Sequence, residues 1–238
     1  MSEGLSTVAA RLGASFEGSD TAVSRIVTDT RALRPGDLLV ALRGERFDAH
    51  EFLAQAREKG AVGAVVDHPV TDSLAQIVVP DTRLALGLLA RAHRLDWNGQ
   101  LIAVTGNSGK TTVKDMSAAA LSAFGVVGRS PGNWNNEIGV PLSLLALRGD
   151  EDNVILELGM SAPGEIAELT RIADPTVGVV TSAVAAHLEF FDSVEGIADA
   201  KGEIFEGAGP GDVLVHPESG WFVGRLPHPP GAEVMTFS

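Results

Sequence analysis

The sequence predicts an α/β fold in two parts, an α/β domain over residues 1–97 followed by a P-loop mononucleotide-binding α/β domain over 98–238. Three observations predict it. Short apolar runs alternate with amphipathic helical segments along the chain. A glycine-rich turn joins a strand to a helix at 101–124. The polar stretch Leu95-Asp-Trp-Asn-Gly-Gln100 separates one series of elements from the other.

Taken in order, Leu5 to Gly13 reads as a short amphipathic helix closed by Gly13. Val23 to Thr30 and Asp37 to Leu42 read as strands, joined through the turn Arg34-Pro35-Gly36-Asp37. His50 to Lys59 reads as a helix that stops at Gly60. Ala61 to Asp67 is a compact apolar run suited to a buried strand, and Ala75 to Val79 is another. Asp81 is placed to cap a helix through about His93. Beyond the polar stretch come a strand at Leu101–Thr105, the glycine loop, and a helix from Lys110 to about Phe124. Val126–Gly128 and Val154–Leu158 read as strands, with Ile138–Leu147 a helix that tolerates Pro141 in its first turn. Glu165–Ile172 is a helix, Val177–Thr181 a strand and Val194–Phe205 a helix. The last stretch, Gly207 to Ser238, holds five prolines and two short apolar runs.

Composition narrows the function. At 45% hydrophobic and 21% charged, the chain is globular rather than disordered. Its net charge of −13 is uneven, because residues 99–238 carry 7 basic and 18 acidic groups. Such an acidic half is unsuited to a nucleic-acid groove. If it binds a nucleotide, fixed loop geometry and a divalent cation must work against the global field. With no cysteine there is no disulfide, thiolate metal site or thiol nucleophile. The N-terminus lacks a signal-peptide pattern, and the longest apolar stretch, Leu84–Ala90, is far below the ~20 residues that span a bilayer. No membrane insertion and a cytoplasmic location are therefore expected.

The strongest chemical signal is Thr105-Gly106-Asn107-Ser108-Gly109-Lys110-Thr111-Thr112, between a strand and a helix. Glycines let successive N–H groups wrap a phosphate of ATP, and the helix dipole adds to them. Lys110 reaches the β/γ oxygens, and Thr111 is placed to ligate Mg²⁺. The general pattern asks for a glycine at the position held by Val104, and here the first glycine is Gly106. Glu157 ends a buried strand, where open α/β sheets place ligands, so it reads as a second Mg²⁺ ligand or as a solvated strand end. The run Asn133-Trp134-Asn135-Asn136 reads first as turn chemistry. His187 lies in a loop after a strand and, taken alone, reads as a surface or core residue; Lys201 sits mid-helix with Asp199 and Glu203 close in sequence and, taken alone, reads as an exposed helix lysine.

In combination these segments resemble the Mur ligase family, ATP-dependent amide-forming enzymes of peptidoglycan precursor assembly. The resemblance rests on the P-loop, Gly132-Asn-Trp-Asn-Asn-Glu-Ile-Gly-Val-Pro141, Glu157-Leu-Gly159, Ala185-Ala-His187-Leu-Glu189 and Ala200-Lys201-Gly-Glu-Ile-Phe205. The short P-loop of that family accounts for Val104. The wording at 135–141 and 200–205 is most similar to the branch that adds D-alanyl-D-alanine to UDP-N-acetylmuramoyl-tripeptide. Thr28-Asp29-Thr30-Arg31, Arg34–Asp37, and Ala41 through Arg43, Gly44 and Asp48 to His50 resemble the family's UDP-sugar-binding domain.

The resemblance implies that Lys110 and the 106–111 amides bind phosphates, and that Thr111 and Glu157 coordinate Mg²⁺. His187 would support a second metal ion, and Asn135 and Asn136 would lie near the γ-phosphate and acyl group. Lys201 would carry a CO₂-derived carbamate, an anion able to hold a metal. The reaction implied is phosphoryl transfer to the peptide carboxylate, then attack of the amine on the acyl phosphate. The family continues past residue 238 with more central strands and a third domain, and the run Asp212–Ser219 departs from its pattern. The expectation is a chain without the C-terminal domain, completed by a further segment or a separate chain. A non-catalytic homologue that binds UDP-muramoyl peptide or ATP, and an amide ligase with another substrate, stay open beside it.

Overall fold

A computed structural model describes residues 3–44, 47–184 and 193–238. The chain divides into two compact units, Met1–Ala92 and His93–Ser238.

The first unit contains β1 (Glu3–Gly4), α1 (Leu5–Arg11), β2 (Ala22–Val23), β3 (Arg25–Val27), β4 (Asp37–Val40), β5 (Arg43–Gly44) and β6 (Phe47–Asp48). They are followed by α2 (Leu53–Glu58), β7 (Gly63–Val66), β8 (Gln76–Val78) and the start of α3 (Thr82–Asp96). Four strands form a parallel sheet in the order β3-β4-β7-β8. Its two central strands are buried at every position, as apolar runs require in a sheet covered on both faces, with Asp37 the one charged residue among them. Leu39, Ala64 and Val66 pack with Leu53 and Ala56 of α2 in one apolar cluster.

The expected strand Val23–Thr30 is broken. Its first part pairs antiparallel with β1, and only Arg25–Val27 joins the parallel sheet. Asp29 then accepts the Arg31 N–H at 2.8 Å and starts a 3-10 turn over Thr30–Ala32, which a propensity reading of Val-Thr as strand overlooks. The helix expected from His50 opens with a 3-10 turn, Ala49–Phe52, capped by Asp48. Asp81 accepts N–H groups from Arg83 and Leu84 and opens α3. That helix runs three residues past His93 because nothing before Trp97 breaks it.

In the second unit, β9 (Gln100–Thr105), α4 (Lys110–Leu121), β10 (Val127–Arg129), α5 (Gly139–Leu145), β11 (Asn153–Glu157) and α6 (Glu165–Ala173) precede β12 (Val177–Val180), α7 (Val194–Gly202), β13 (Val213–Pro217) and β14 (Glu233–Phe237). Six parallel strands lie in the order β10-β11-β9-β12-β13-β14. The order reverses at β9, so the loops after β9, β11 and β12 converge at the carboxyl edge of the sheet, the usual ligand position in such folds. The helix expected over Val194–Phe205 ends at Gly202 and tightens to a 3-10 turn over Glu203–Phe205. The two apolar runs of the proline-rich tail are the last two strands, β13 and β14. No helix among the described residues is long and apolar enough to cross a membrane.

One ion pair closes the first sheet. Asp37 is 1% exposed; it accepts Arg25 Nε at 2.9 Å and Nη2 at 2.5 Å, and the Arg34 N–H at 2.8 Å. It ties β3 to β4 and shuts the turn between them. Asp37→Ala is expected to cost about 3 kcal/mol in urea unfolding, since three bonds to a charged group are lost. A cost under about 1 kcal/mol would mean that the pair is incidental.

Candidate active site

The P-loop lies between β9 and α4. Thr105 is buried and donates its hydroxyl to Leu158 O at 2.9 Å, tying the ends of β9 and β11 together. Gly106 has φ +145°, and a Cβ there would sit 2.0 Å from Thr181 Oγ1, so no other residue fits. Asn107 donates its backbone N–H to Ser182 O, and its Oδ1 accepts Val184 N–H at 3.0 Å. The Ser108 N–H is donated to Ser182 Oγ, and Ser108 O accepts the Thr181 hydroxyl at 2.6 Å. Gly109, at φ +82°, stands at the N-cap of α4, and no side chain caps that helix. Its first-turn amides therefore keep their donors for a ligand, with the positive end of the dipole behind them.

Lys110 donates to Gly106 O at 2.8 Å and so lies folded over its own loop. Thr111 donates its hydroxyl to Glu157 Oε2 at 2.7 Å. Thr112 is exposed on the first turn. Glu157 is only 3% exposed, which overturns its reading as a solvated strand end. Its other oxygen accepts Asn135 Nδ2 at 2.8 Å, and its N–H is donated to Ser130 Oγ at 3.3 Å. Asn135 also accepts the Gly159 N–H through its backbone carbonyl at 2.7 Å. A Cβ on Gly159 would come within 2.9 Å of the Asn135 side chain. Asn136 behaves as turn chemistry predicts, for its Oδ1 accepts the Gly139 N–H at 2.9 Å and starts α5. The hydroxyl of Thr111 beside the carboxylate of Glu157 offers two adjacent hard oxygens, a donor set that suits Mg²⁺.

Lys201 lines the same cleft of about 460 Å³ as Gly106, Lys110, Asn135 and Glu165. It is 3% exposed, not the solvated helix lysine that its flanking charges suggest. Burial, assisted by the charge of Lys110 and opposed by Glu203, lowers its amine from 10.5 to about 8. His187 lies outside the described residues.

Two further residues take part to which the sequence assigns no role. Lys114, 2% exposed, donates to Ser130 O at 3.1 Å and Gly132 O at 2.8 Å. Glu203 accepts the N–H groups of Gly164 and Ala167, capping α6. Lys114 follows Thr111 by three residues on one helix face, a spacing that was legible. A lysine on a helix nevertheless reads as solvent-facing until the loop opposite it is known.

In the first unit a second polar group forms beyond the carboxyl ends of its strands. Asp48 accepts Arg43 Nε at 2.9 Å, the His50 N–H at 3.0 Å and His50 Nδ1 at 2.6 Å. His50 Nε2 accepts the Asp67 N–H at 3.1 Å, which fixes the neutral ring with its proton on Nδ1. Burial opposes ionisation of Asp48, yet the His50 amide, the His50 ring and Arg43 outweigh it and lower the carboxyl to about 2. His68 stacks on His50 at 4.6 Å and bonds to Asp67. Gly44 belongs to the hairpin β5–β6 that carries Arg43. Thr28 follows β3; Arg31 pairs with Asp29 and is otherwise exposed, and Thr30 O accepts Lys59 Nζ at 2.8 Å.

A parallel α/β sheet with an uncapped glycine-loop helix and a buried carboxylate beside its first threonine defines a P-loop nucleotide-binding protein. Residues 104–238 match the Mur ligase middle domain, and residues 22–94 match the domain described as Mur ligase family, catalytic domain. The chain belongs to the Mur ligase family. It is 47% identical over 196 residues to the UDP-N-acetylmuramoyl-tripeptide–D-alanyl-D-alanine ligase of Escherichia coli K12, covering 82% of this chain and 43% of that protein. It is 42% identical over 199 residues to the Bacillus subtilis enzyme of the same name, covering 82% and 44%. Among solved structures it is similar to MurF from Acinetobacter baumannii, with a TM-score of 0.93, 34% identity, and coverage of 100% of this chain and 54% of that one. MurF from Thermotoga maritima in complex with ADP gives 0.82 at 33% identity, covering 89% and 49%. The chain thus spans about half the length of the relatives it matches.

The lowered amine of Lys201 has a measurable consequence. Between pH 8 and 10.5 the unfolded chain holds a proton there that the folded chain has shed, so this group makes stability rise with pH across that window. An NMR titration of the lysine Cε signals should give Lys201 a midpoint near 8, and Lys110→Ala should raise it by removing a like charge. A midpoint near 10.5 in the parent would sink the assignment.

Proposed function

We propose that this chain is the UDP-sugar- and nucleotide-holding portion of an ATP-dependent ligase that adds D-alanyl-D-alanine to UDP-N-acetylmuramoyl-tripeptide. The single observation that carries the chemistry is the 2.7 Å bond between Thr111 Oγ1 and Glu157 Oε2 at the foot of uncapped α4. The choice of substrates is supported by the names of relatives 42–47% identical to it.

On this reading the free amides of the first turn of α4 take the β- and γ-phosphates of ATP. Lys110 leaves Gly106 O and moves onto their oxygens. Thr111 and Glu157 would hold one Mg²⁺, and Lys201 and His187 are assigned to a second. Bound Mg²⁺ would neutralise phosphate charge during transfer. Asn135 fixes the carboxylate of Glu157 so that one oxygen faces Thr111. In the first unit, Thr28, Asp29, Thr30 and Arg31, with Arg43, Gly44, Asp48 and His50, are assigned to the UDP-sugar. A carboxylate oxygen of the tripeptide attacks the γ-phosphorus and the bond to ADP breaks, leaving an acyl phosphate. The amine of D-alanyl-D-alanine then adds to the acyl carbon, loses its proton, and expels phosphate as the amide forms.

Lys201 adds a step of its own. An amine with a pKa of about 8 is about half neutral at that pH, and the neutral amine adds CO₂ through its nitrogen lone pair and releases a proton to solvent. The carbamate so formed is an anion beside Lys110 rather than a second cation. ¹³C-bicarbonate should give a carbamate resonance in the parent that Lys201→Arg lacks.

The function is tested by phosphate release from Mg–ATP with UDP-N-acetylmuramoyl-tripeptide, D-alanyl-D-alanine and bicarbonate. Release that needs both substrates and disappears in Lys110→Ala is the result expected once the rest of the ligase is supplied, as a further segment or a separate chain. If 238 residues suffice, release occurs without it. Mg–ATP binding with no release under either condition would favour the binding-module reading over the ligase.

A further inference from the structure

Lys114 is among the largest fully buried side chains of the molecule, and none of the chemistry above uses it. Burying a lysine amino group is expensive unless its donors are met. Here they are met by two backbone carbonyls, Ser130 O at 3.1 Å and Gly132 O at 2.8 Å. The nearest carboxylate oxygen, Asp115 Oδ1, is 4.0 Å away and is shared with Arg129 at 3.0 Å. Lys114 is thus held by a loop rather than by a counter-ion. That loop supplies Ser130 Oγ to the Glu157 N–H and runs on to Asn135, which donates to Glu157 Oε1 and accepts from Gly159.

The contacts form a closed circuit. Thr111 and Lys114 lie three residues apart on one face of α4. Thr111 bonds one oxygen of Glu157, and Lys114 bonds the loop whose residues hold the other oxygen and the backbone of the same glutamate. We propose that Lys114 is a positioning residue: through Ser130, Gly132 and Asn135 it sets Glu157 in the orientation that a divalent cation beside Thr111 requires. This deepens the proposed nucleotide site and rests on that reading for its metal. Its mechanical half, the placement of Glu157 and Asn135, stands on the hydrogen bonds alone. Without Lys114 the loop loses its anchor to α4, and Glu157 can turn its Oε2 away from Thr111.

The test uses Lys114→Met, which keeps the chain length but removes the donors, and Lys114→Arg, which restores donors to the same carbonyls. Two readouts are taken on the full chain. Hydrogen exchange at the Gly159 amide should quicken at least tenfold in Lys114→Met, while amides in the middle of α6 stay unchanged. The Mg²⁺ concentration giving half-maximal tightening of ADP binding should rise at least tenfold, with ADP affinity in EDTA within twofold of the parent. Lys114→Arg should recover most of both. Unchanged Gly159 exchange in folded Lys114→Met overturns the proposal, as does a Mg²⁺ midpoint in Lys114→Met equal to that of a parent that binds Mg–ADP. If the parent binds no Mg–ADP, the nucleotide reading fails, and the exchange result alone decides whether Lys114 positions the loop. Equal weakening of ADP binding with and without Mg²⁺ would reduce Lys114 to a structural residue and overturn the proposal as well.

Discussion

A carboxylate withdrawn from water at the end of a parallel strand must have its oxygens met by the protein, and much of the second unit is arranged to meet those of Glu157. One oxygen takes the Thr111 hydroxyl and the other the Asn135 amide. The first demand fixes the first turn of α4 against β11. The second fixes the loop that follows β10. Thr105 locks the ends of β9 and β11 through Leu158 O, and Ser130 extends the edge of the sheet by accepting the Glu157 N–H after β10 has ended. Each bond is of modest net value, about 1 kcal/mol, but leaving any of these buried groups unmet costs more. The constraint therefore propagates outward and holds three loops in register at one edge of the sheet.

The same logic separates what the sequence made legible from what it concealed. The strand–loop–helix at 101–124 was readable because its glycines answer steric demands that hardly depend on the rest of the fold. Gly106 faces Thr181 so closely that a Cβ would overlap it, and that need is visible as a glycine. The buried runs within β4, β7 and β11 were readable for a similar reason, since the middles of strands covered on both faces must be apolar. The burial of Lys114 and Lys201 was not readable. On a helical wheel both fall on the buried side, Lys114 one turn from Ala118 and Lys201 one turn from Ile197, but the groups that receive their amines are supplied by the loop opposite Lys114 and the cleft beside Lys201. Their environment is a property of tertiary packing, which local periodicity does not encode.

The strands of the tail were hidden by their punctuation. Five prolines in 32 residues read as an irregular segment, yet Pro217 ends β13 and Pro229 and Pro230 lie in the connection before β14. None of these positions asks for an N–H within the interior of a strand, so the prolines terminate elements instead of preventing them. The broken strand at Val23–Thr30 is the converse. There Asp29 diverts the backbone into a 3-10 turn by accepting an N–H, a local competition that apolar content does not reveal.

Electrostatics gives the site its last constraint. The second unit is strongly acidic, so nothing long-range draws a nucleotide to it, and attraction must arise within a few ångströms. In this structure the loop satisfies itself: Lys110 bonds Gly106 O, and Ser108 bonds Ser182. A ligand must therefore exchange those bonds for its own. Two lysines in one cleft then present a difficulty, because each disfavours the charge of the other, and the more deeply buried yields by shedding its proton near pH 8. A neutral amine there removes the repulsion but contributes no attraction. On the proposed reading, a carbamate on Lys201 resolves this, since an anion beside Lys110 is attracted to it and can also hold a cation. The burial that looks like a cost in the unmodified chain is then the condition that allows the modification.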